Sequence, residues 1–86
     1  MHEIRYFLAL CDEKNFNRAA RRCDVAQPSL TKAIKSLESK LGGALFYRSK
    51  PETRLTKLGK LVHPHMKRIN QEAAHAIQIA QTMRDA

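Results

Sequence analysis

The chain has 86 residues, a length that allows one small folded domain. Its hydrophobic content of 43% is ordinary for a globular protein and argues against a disordered one. No apolar run approaches the roughly 20 residues that a membrane-spanning helix needs. The net charge is +8, and residues 14–68 hold fourteen of the sixteen Lys and Arg but only three acids. This concentrated charge predicts a binder of a polyanion, with a merely solvated basic surface as the alternative.

The two cysteines, Cys11 and Cys23, are too few for a disulfide framework, and both fall on apolar helix faces. Buried free thiols in a reducing compartment are the favoured interpretation, and a redox sensor is the alternative. Residues 1–3 run directly into an amphipathic segment, so we expect no signal peptide. A cytoplasmic protein is therefore expected.

The first predicted helix covers residues 2–13. Its apolar positions recur at helical spacing: Ile4, Phe7, Leu8 and Cys11. Phe16 is expected in the following connection, where its ring would fill the core. Asn17 is expected to cap a short second helix over residues 18–23 by accepting hydrogen bonds from its first backbone N–H groups. Residues 24–26 form the turn to the next helix.

A third helix is predicted over residues 27–41, because Pro28 fits a first turn and Gly42 fits a helix end. Its inner side is apolar: Leu30, Ile34, Leu37 and Leu41. Its outer side is polar and basic: Pro28, Lys32, Lys35 and Ser39. Two short helices joined by a tight turn, the second one cationic outside, indicate a helix-turn-helix whose second helix lies in a DNA groove.

Residues 44–48 and 53–55 are predicted to form a β-hairpin, the wing of a winged helix-turn-helix. Thr56 is expected to cap a long fourth helix over about residues 57–83. Some of its positions alternate in steps of three and four, the spacing of a coiled-coil seam: Met66, Ile69, Ala73, Ala76, Ala80 and Met83. We expect this seam to form a homodimer interface; packing within one chain is the alternative.

The predicted fold is therefore mainly α. A winged helix-turn-helix of three helices and a two-stranded wing occupies residues 1–56, and a long dimerisation helix occupies residues 57–86. The predicted function is sequence-specific binding of double-stranded DNA by a dimer at an inverted repeat.

The first turns of the third helix carry the candidate base-contacting side chains. The Gln27 amide can pair with adenine, Pro28 and the Thr31 methyl group can contact thymine methyl groups, and Lys32 can donate to guanine. Contacts with backbone phosphates are expected from the start of the second helix, from the third helix and from the wing. The candidate phosphate-contacting residues are Asn17, Arg18, Lys35, Arg48, Lys50 and Arg54.

Several short motifs recur together: FNRAA (16–20), VAQPSLT (25–31), LE (37–38), LG (41–42), LF (45–46) and LTKLG (55–59). In these motifs the chain resembles the amino-terminal DNA-binding domain of LysR-type transcriptional regulators over nearly its whole length. The resemblance implies a bacterial, nucleoid-associated repressor or activator. It also implies that the wing lies along the DNA backbone and that five residues face the groove: Gln27, Pro28, Ser29, Thr31 and Lys32.

The resemblance has two further implications. Ala26 stands where the family often has serine, so a side-chain cap on the third helix is expected to be missing. Family members continue into an effector-binding domain, which we expect to be absent from these residues, together with any small-molecule effector.

Two other classes are compatible with the sequence. A small basic RNA-binding protein would stack bases on aromatic rings. The five aromatic residues are instead expected mostly at core positions: Tyr6, Phe7, Phe16, Phe46 and Tyr47. A pure interaction module would explain the fourth helix but not the basic face. We expect no enzymatic activity, no cofactor and no metal, because His63 and His65 have no Cys or carboxylate nearby.

Overall fold

The protein is described here by a computed structural model, which covers residues 2–47 and 52–85. In chain order the elements are α1 (His2–Glu13), α2 (Phe16–Arg22), α3 (Gln27–Leu41), β1 (Phe46–Tyr47), β2 (Arg54–Leu55) and α4 (Lys57–Asp85). The two strands pair antiparallel, with Phe46 opposite Leu55. The predicted fold, a mainly α winged helix-turn-helix followed by a long helix, is confirmed. None of the described helices combines the length and apolar character that crossing a bilayer requires.

The start of α2 differs from the prediction. The N-cap residue is Asn15, whose backbone is extended and whose side-chain oxygen accepts a hydrogen bond from the Arg18 N–H at 2.9 Å. Phe16 is the first residue of the helix rather than part of the connection, and Asn17 is exposed inside the first turn. The helix ends at Arg22, and Cys23 is its C-cap. The predicted cap at Asn17 is therefore wrong.

Both ends of α3 follow the prediction. Pro28 lies in its first turn, and Ala26 precedes it without a side-chain cap. Gly42 ends the helix in the left-handed region with a φ of 77°, and its N–H donates to the carbonyl oxygen of Glu38. The predicted inner side enters the core, with the last of its residues half-buried: Leu30, Ile34, Leu37 and Leu41.

The core lies between the first three helices, the base of the wing and the first half of α4. Its largest fully buried side chains are Phe7, Leu10, Leu30, Ile34, Leu45 and Phe46. The rings of Phe7 and Phe46 lie 5.5 Å apart between centroids and join α1 to the wing. Ala19 and Ala20 are also buried, and their small size allows α2 to pack closely against its neighbours.

Leu45 connects α3, the wing and α4. Its N–H donates to the Glu38 carboxylate at 2.7 Å, and its carbonyl oxygen accepts from the Thr56 N–H at 2.9 Å. The Thr56 hydroxyl oxygen accepts from the Gly59 N–H at 3.1 Å and donates to the Ala44 carbonyl at 2.6 Å, so the predicted cap of α4 is confirmed. A Cβ at Gly59 would collide with the Leu45 carbonyl oxygen, so glycine is what permits this approach.

Only the first half of α4 packs on the domain. Met66 belongs to the core of its own chain with 8% of its surface exposed, so the structure does not offer it to a second chain as predicted. The reason is that the domain reaches further along α4 than heptad spacing alone can indicate. Beyond Ala73, every described residue of this helix is exposed, including Ile77, Ile79 and Met83.

The corrected cap of α2 can be tested by mutation. Asn15→Ala removes the oxygen that accepts from the Arg18 N–H, and it should lower the free energy of unfolding by about 1 kcal/mol. Asn17→Ala removes an asparagine side chain of the same kind at a position two residues later. Within the described structure no hydrogen bond depends on the Asn17 side chain. It should change stability little. Urea unfolding at one protein concentration measures both, and equal losses would contradict the assignment.

Candidate nucleic-acid interface

The amino-terminal half of α3 presents a polar surface on the side away from the core. Pro28, Ser29 and Lys32 are exposed on this surface, whereas Gln27 and Thr31 are half-buried. The five residues predicted to face bases are thus brought together on consecutive turns of one helix. Their contact with bases stays a prediction.

A hydrogen bond joins two of these side chains. The Gln27 Nε2 donates to the Thr31 Oγ1 at 3.0 Å, one helical turn away. Sequence reasoning named both residues but not the bond between them. The signal was present, because side chains four residues apart on a helix are neighbours.

The cations on and beside α3 differ in their pairing. Lys40, in the last turn of the helix, forms an ion pair with Glu3 at 2.8 Å. Lys32 and Lys35 are exposed, and neither forms an ion pair with any residue of the described structure. The same holds for Arg54 on β2. Such unpaired cations are available to phosphate oxygens, which accept hydrogen bonds from them at low desolvation cost.

The start of α2 is different, because the acidic end of α1 lies beside it. The Arg18 guanidinium is 3.8 Å from the Glu13 carboxylate and also donates to the Glu13 backbone oxygen at 3.1 Å. Arg22 donates to Asp12 at 3.0 Å and to Glu13 at 3.3 Å. The Asp12 carboxylate, with help from Glu13, raises the pKa of Arg22. Asn17 and Arg18 are both exposed at this end, but Arg18 already has an anionic partner.

The wing carries one described residue of the predicted phosphate-contacting set. Arg54 is exposed on β2, and its partner across the strands is Tyr47. Tyr47 is the exception among the aromatic residues expected mostly in the core. Its surface is 52% exposed, because successive side chains of a strand alternate and Phe46 occupies the inner position. Arg48 and Lys50 lie outside the described residues, so their roles stay predictions.

A cleft beneath the wing contains two cations that sequence reasoning did not single out. Lys14 follows α1 and Lys60 lies in the first turn of α4; together with Arg54 they line a cleft of about 490 Å³. The Thr53 N–H donates to the Lys14 carbonyl at 3.3 Å and holds the wing against this loop. The base of the wing therefore carries a second group of cations, which only the packing of distant segments could reveal.

The cysteines are half-buried and free. Burial, reinforced by the charge of Asp12, raises the pKa of the Cys11 thiol to about 12. This thiol is therefore protonated at neutral pH and a weak nucleophile. Among the described residues no cluster of three His, Cys, Asp or Glu side chains could hold a metal ion, and His63 instead packs near the Phe7 ring, 6.1 Å away between centroids.

The raised pKa of Cys11 predicts slow alkylation in the folded protein. At pH 8, iodoacetamide should modify Cys11 at least about tenfold more slowly than in urea, because each unit by which the pKa is raised lowers the thiolate fraction about tenfold. Peptide mass spectrometry measures the modification of this residue directly. Comparable rates in the two conditions would show an accessible thiolate and would support the redox alternative.

A family model described as "Bacterial regulatory helix-turn-helix protein, lysR family" matches residues 1–60 of the chain. The HTH-type transcriptional regulator AlsR of Bacillus subtilis is 33% identical over 81 residues, which are 94% of this chain and 27% of that protein. The chain spans about a quarter of the length of the curated relatives it matches.

Solved structures give the same picture. Full-length OxyR from Pseudomonas aeruginosa superposes with a TM-score of 0.87 at 39% identity, over 93% of this chain and 27% of that one. The DNA-binding domain of BenM, in complex with catB site 1 DNA, superposes with a TM-score of 0.89 at 25% identity, over 99% of this chain and 96% of that one.

Proposed function

The chain belongs to the lysR family of bacterial helix-turn-helix regulators, and we propose that it binds double-stranded DNA sequence-specifically as a dimer. It is a LysR-type DNA-binding domain of transcriptional regulators. The observation that carries the proposal is the division of α3 into a buried apolar side and an outer side with unpaired cations. Residues 1–56 form the DNA-binding part in this proposal, and residues 57–86 form the linker helix.

In the proposed complex α3 lies in the major groove, which is wide enough for a helix. Gln27, Pro28, Ser29, Thr31 and Lys32 face the base edges from the amino-terminal half of the helix. The opposite side of the helix is fixed by the core, so rotation of α3 would bury lysines and expose leucines. This constraint supports the groove-facing role of the five residues.

Phosphate contacts surround the groove-facing surface. Lys35 follows it on α3, Arg54 reaches from the wing, and Asn17 with Arg18 contributes the amino end of α2. Arg48 and Lys50 belong to the same proposed set. These contacts position the protein without specifying sequence, because every nucleotide has the same phosphate.

The second half of α4 supports dimerisation. Ile69 and Met83 have 44% and 75% of their surfaces exposed, and they share one side of the helix with Ala76 and Ala80. Ala73 lies on the same side, between Ile69 and Ala76, and is half-buried next to the domain. Ile79 extends the apolar surface beside it, with 63% exposed. Such a large uncovered apolar strip on one chain is typical of an interface, and we assign a second copy to it.

A dimer with two-fold symmetry requires an inverted-repeat DNA site, with half-sites about one helical turn apart or a multiple of it. The proposed location is the bacterial cytoplasm, where the nucleoid provides the target. An RNA-binding function has less support, because Tyr47 is the one exposed side chain among the described Phe and Tyr residues, and base stacking needs several.

The proposed function is tested by competition for labelled duplex DNA. At matched salt, unlabelled duplex DNA should displace the protein better than structured RNA does. Arg54→Ala should then weaken binding to all DNA sequences by a similar factor, and should reduce the slope of log affinity against log salt by about one, because one phosphate contact is lost.

Arg84→Ala is the matched control, since Arg84 lies at the far end of α4 and should alter neither affinity nor slope. Stronger competition by RNA would contradict the proposed function. A sequence-dependent effect of Arg54→Ala would contradict its assignment to a phosphate.

The proposed interface is tested by placing a carboxylate in it. Ala80→Asp should weaken association by roughly 100-fold or more, because the symmetric interface would bury two unpaired charges. Sedimentation should then give the mass of a monomer. Gln78→Asp places the same carboxylate on the opposite side of α4 and should leave the dimer intact. An unchanged mass for Ala80→Asp would remove this side of the helix as the interface.

A further inference from the structure

The hydrogen bond between Gln27 and Thr31 occupies one of the hydrogen-bonding groups of the Gln27 side-chain amide. A primary amide has two N–H donors and one carbonyl acceptor. One donor is engaged by the Thr31 Oγ1 at 3.0 Å, in a half-buried position. One N–H and the carbonyl oxygen of Gln27 are left for any outside partner.

The remaining pair of groups distinguishes the two purines. In the major groove adenine presents one acceptor, N7, beside one donor, the N6 amino group. Guanine presents two acceptors, N7 and O6. A tethered Gln27 therefore complements adenine with its remaining donor and its acceptor. Against guanine it would have one donor for two acceptors, and its own carbonyl oxygen would face a second oxygen or nitrogen.

We propose that Thr31 is a positioning residue, which makes Gln27 select adenine over guanine by holding one of its amide hydrogens. The inference rests on the proposed function, in which α3 lies in the major groove. It adds that the two positions read one base together, and that the Thr31 hydroxyl acts through Gln27 rather than through a base contact of its own.

The acceptor that the Gln27 amide uses is the Thr31 hydroxyl. The side chains of Ala26 and Pro28 have no polar atom, and the Lys32 ammonium has donors but no acceptor. Ser29 has a hydroxyl but lies two residues away, which on a helix is a different side from Gln27. Thr31 itself is β-branched, so its hydroxyl is confined to few positions on a helix. A restrained acceptor one turn away from the amide is the arrangement that fixes the orientation of a flexible glutamine.

The matched variants are Thr31→Val and Thr31→Ser. Valine keeps the shape and the methyl group of threonine but lacks the hydroxyl, whereas serine keeps the hydroxyl but lacks the methyl group. Selection of bound oligonucleotides with the unmodified protein first defines the site. Gln27→Ala then identifies the base pair that Gln27 reads, as the position where this variant loses preference.

The measured quantity is the ratio of the dissociation constants for guanine and adenine at that position. The unmodified protein and Thr31→Ser should both prefer adenine by roughly tenfold or more. Thr31→Val should lose most of this preference while its preferences at other positions, its salt slope and its urea unfolding midpoint stay unchanged. In the Gln27→Ala background, Thr31→Val should have no further effect on the ratio.

Retention of the adenine preference by Thr31→Val would overturn the inference. A loss of preference that is as large in the Gln27→Ala background would overturn it too, because Thr31 would then act independently. Failure of the unmodified protein to select any duplex sequence would instead contradict the proposed function, so the two failures are distinguishable.

Discussion

The backbone of Leu45 is the point on which the relative placement of α3, the wing and α4 depends. Its two polar groups are removed from water, and each has a partner: Glu38 from α3 for the N–H, and Thr56 from the start of α4 for the carbonyl. Leaving either unpaired in the interior would cost about 1–3 kcal/mol. Because Gly59 lies directly against the same carbonyl, α4 leaves the domain in one direction. In the proposed dimer, this direction sets the separation of the two recognition helices.

Burial of apolar side chains likewise fixes the orientation of α3. Leu30 and Ile34 are fully buried, and each contributes roughly 1.5–3 kcal/mol of hydrophobic stabilisation. These residues fix the rotation of the helix, and with it the direction in which the polar side chains point. The unpaired charges of Lys32 and Lys35 repel each other in the free protein, and a polyanion removes this repulsion. Core packing and recognition are thus two consequences of one amphipathic pattern.

Sequence reasoning succeeded where the signal was local. Pro28, Gly42 and Thr56 mark helix ends by their own backbone and capping chemistry, so the limits of α3 and the start of α4 were predictable. It failed where two local solutions competed, as with the asparagines at 15 and 17, since only the packing of Phe16 separates them. Two features depend on tertiary proximity and were not predicted. One is the set of ion pairs that Arg18 and Arg22 form with the end of α1, and the other is the burial of Met66. The base contacts themselves stay predictions, because no residue type alone defines its partner.

The exposed second half of α4 links assembly to helix formation. Residues 74–85 are all exposed within one chain. An isolated helix shorter than about 12–15 residues is marginal in water, because nucleation is unfavourable and each turn adds little. In a lone chain this segment therefore depends on propagation from the packed half of α4, and a partner chain would supply the missing tertiary contacts. Dilution should then shift a helix–coil equilibrium as well as an association equilibrium, so that the protein's helical content reports its oligomeric state.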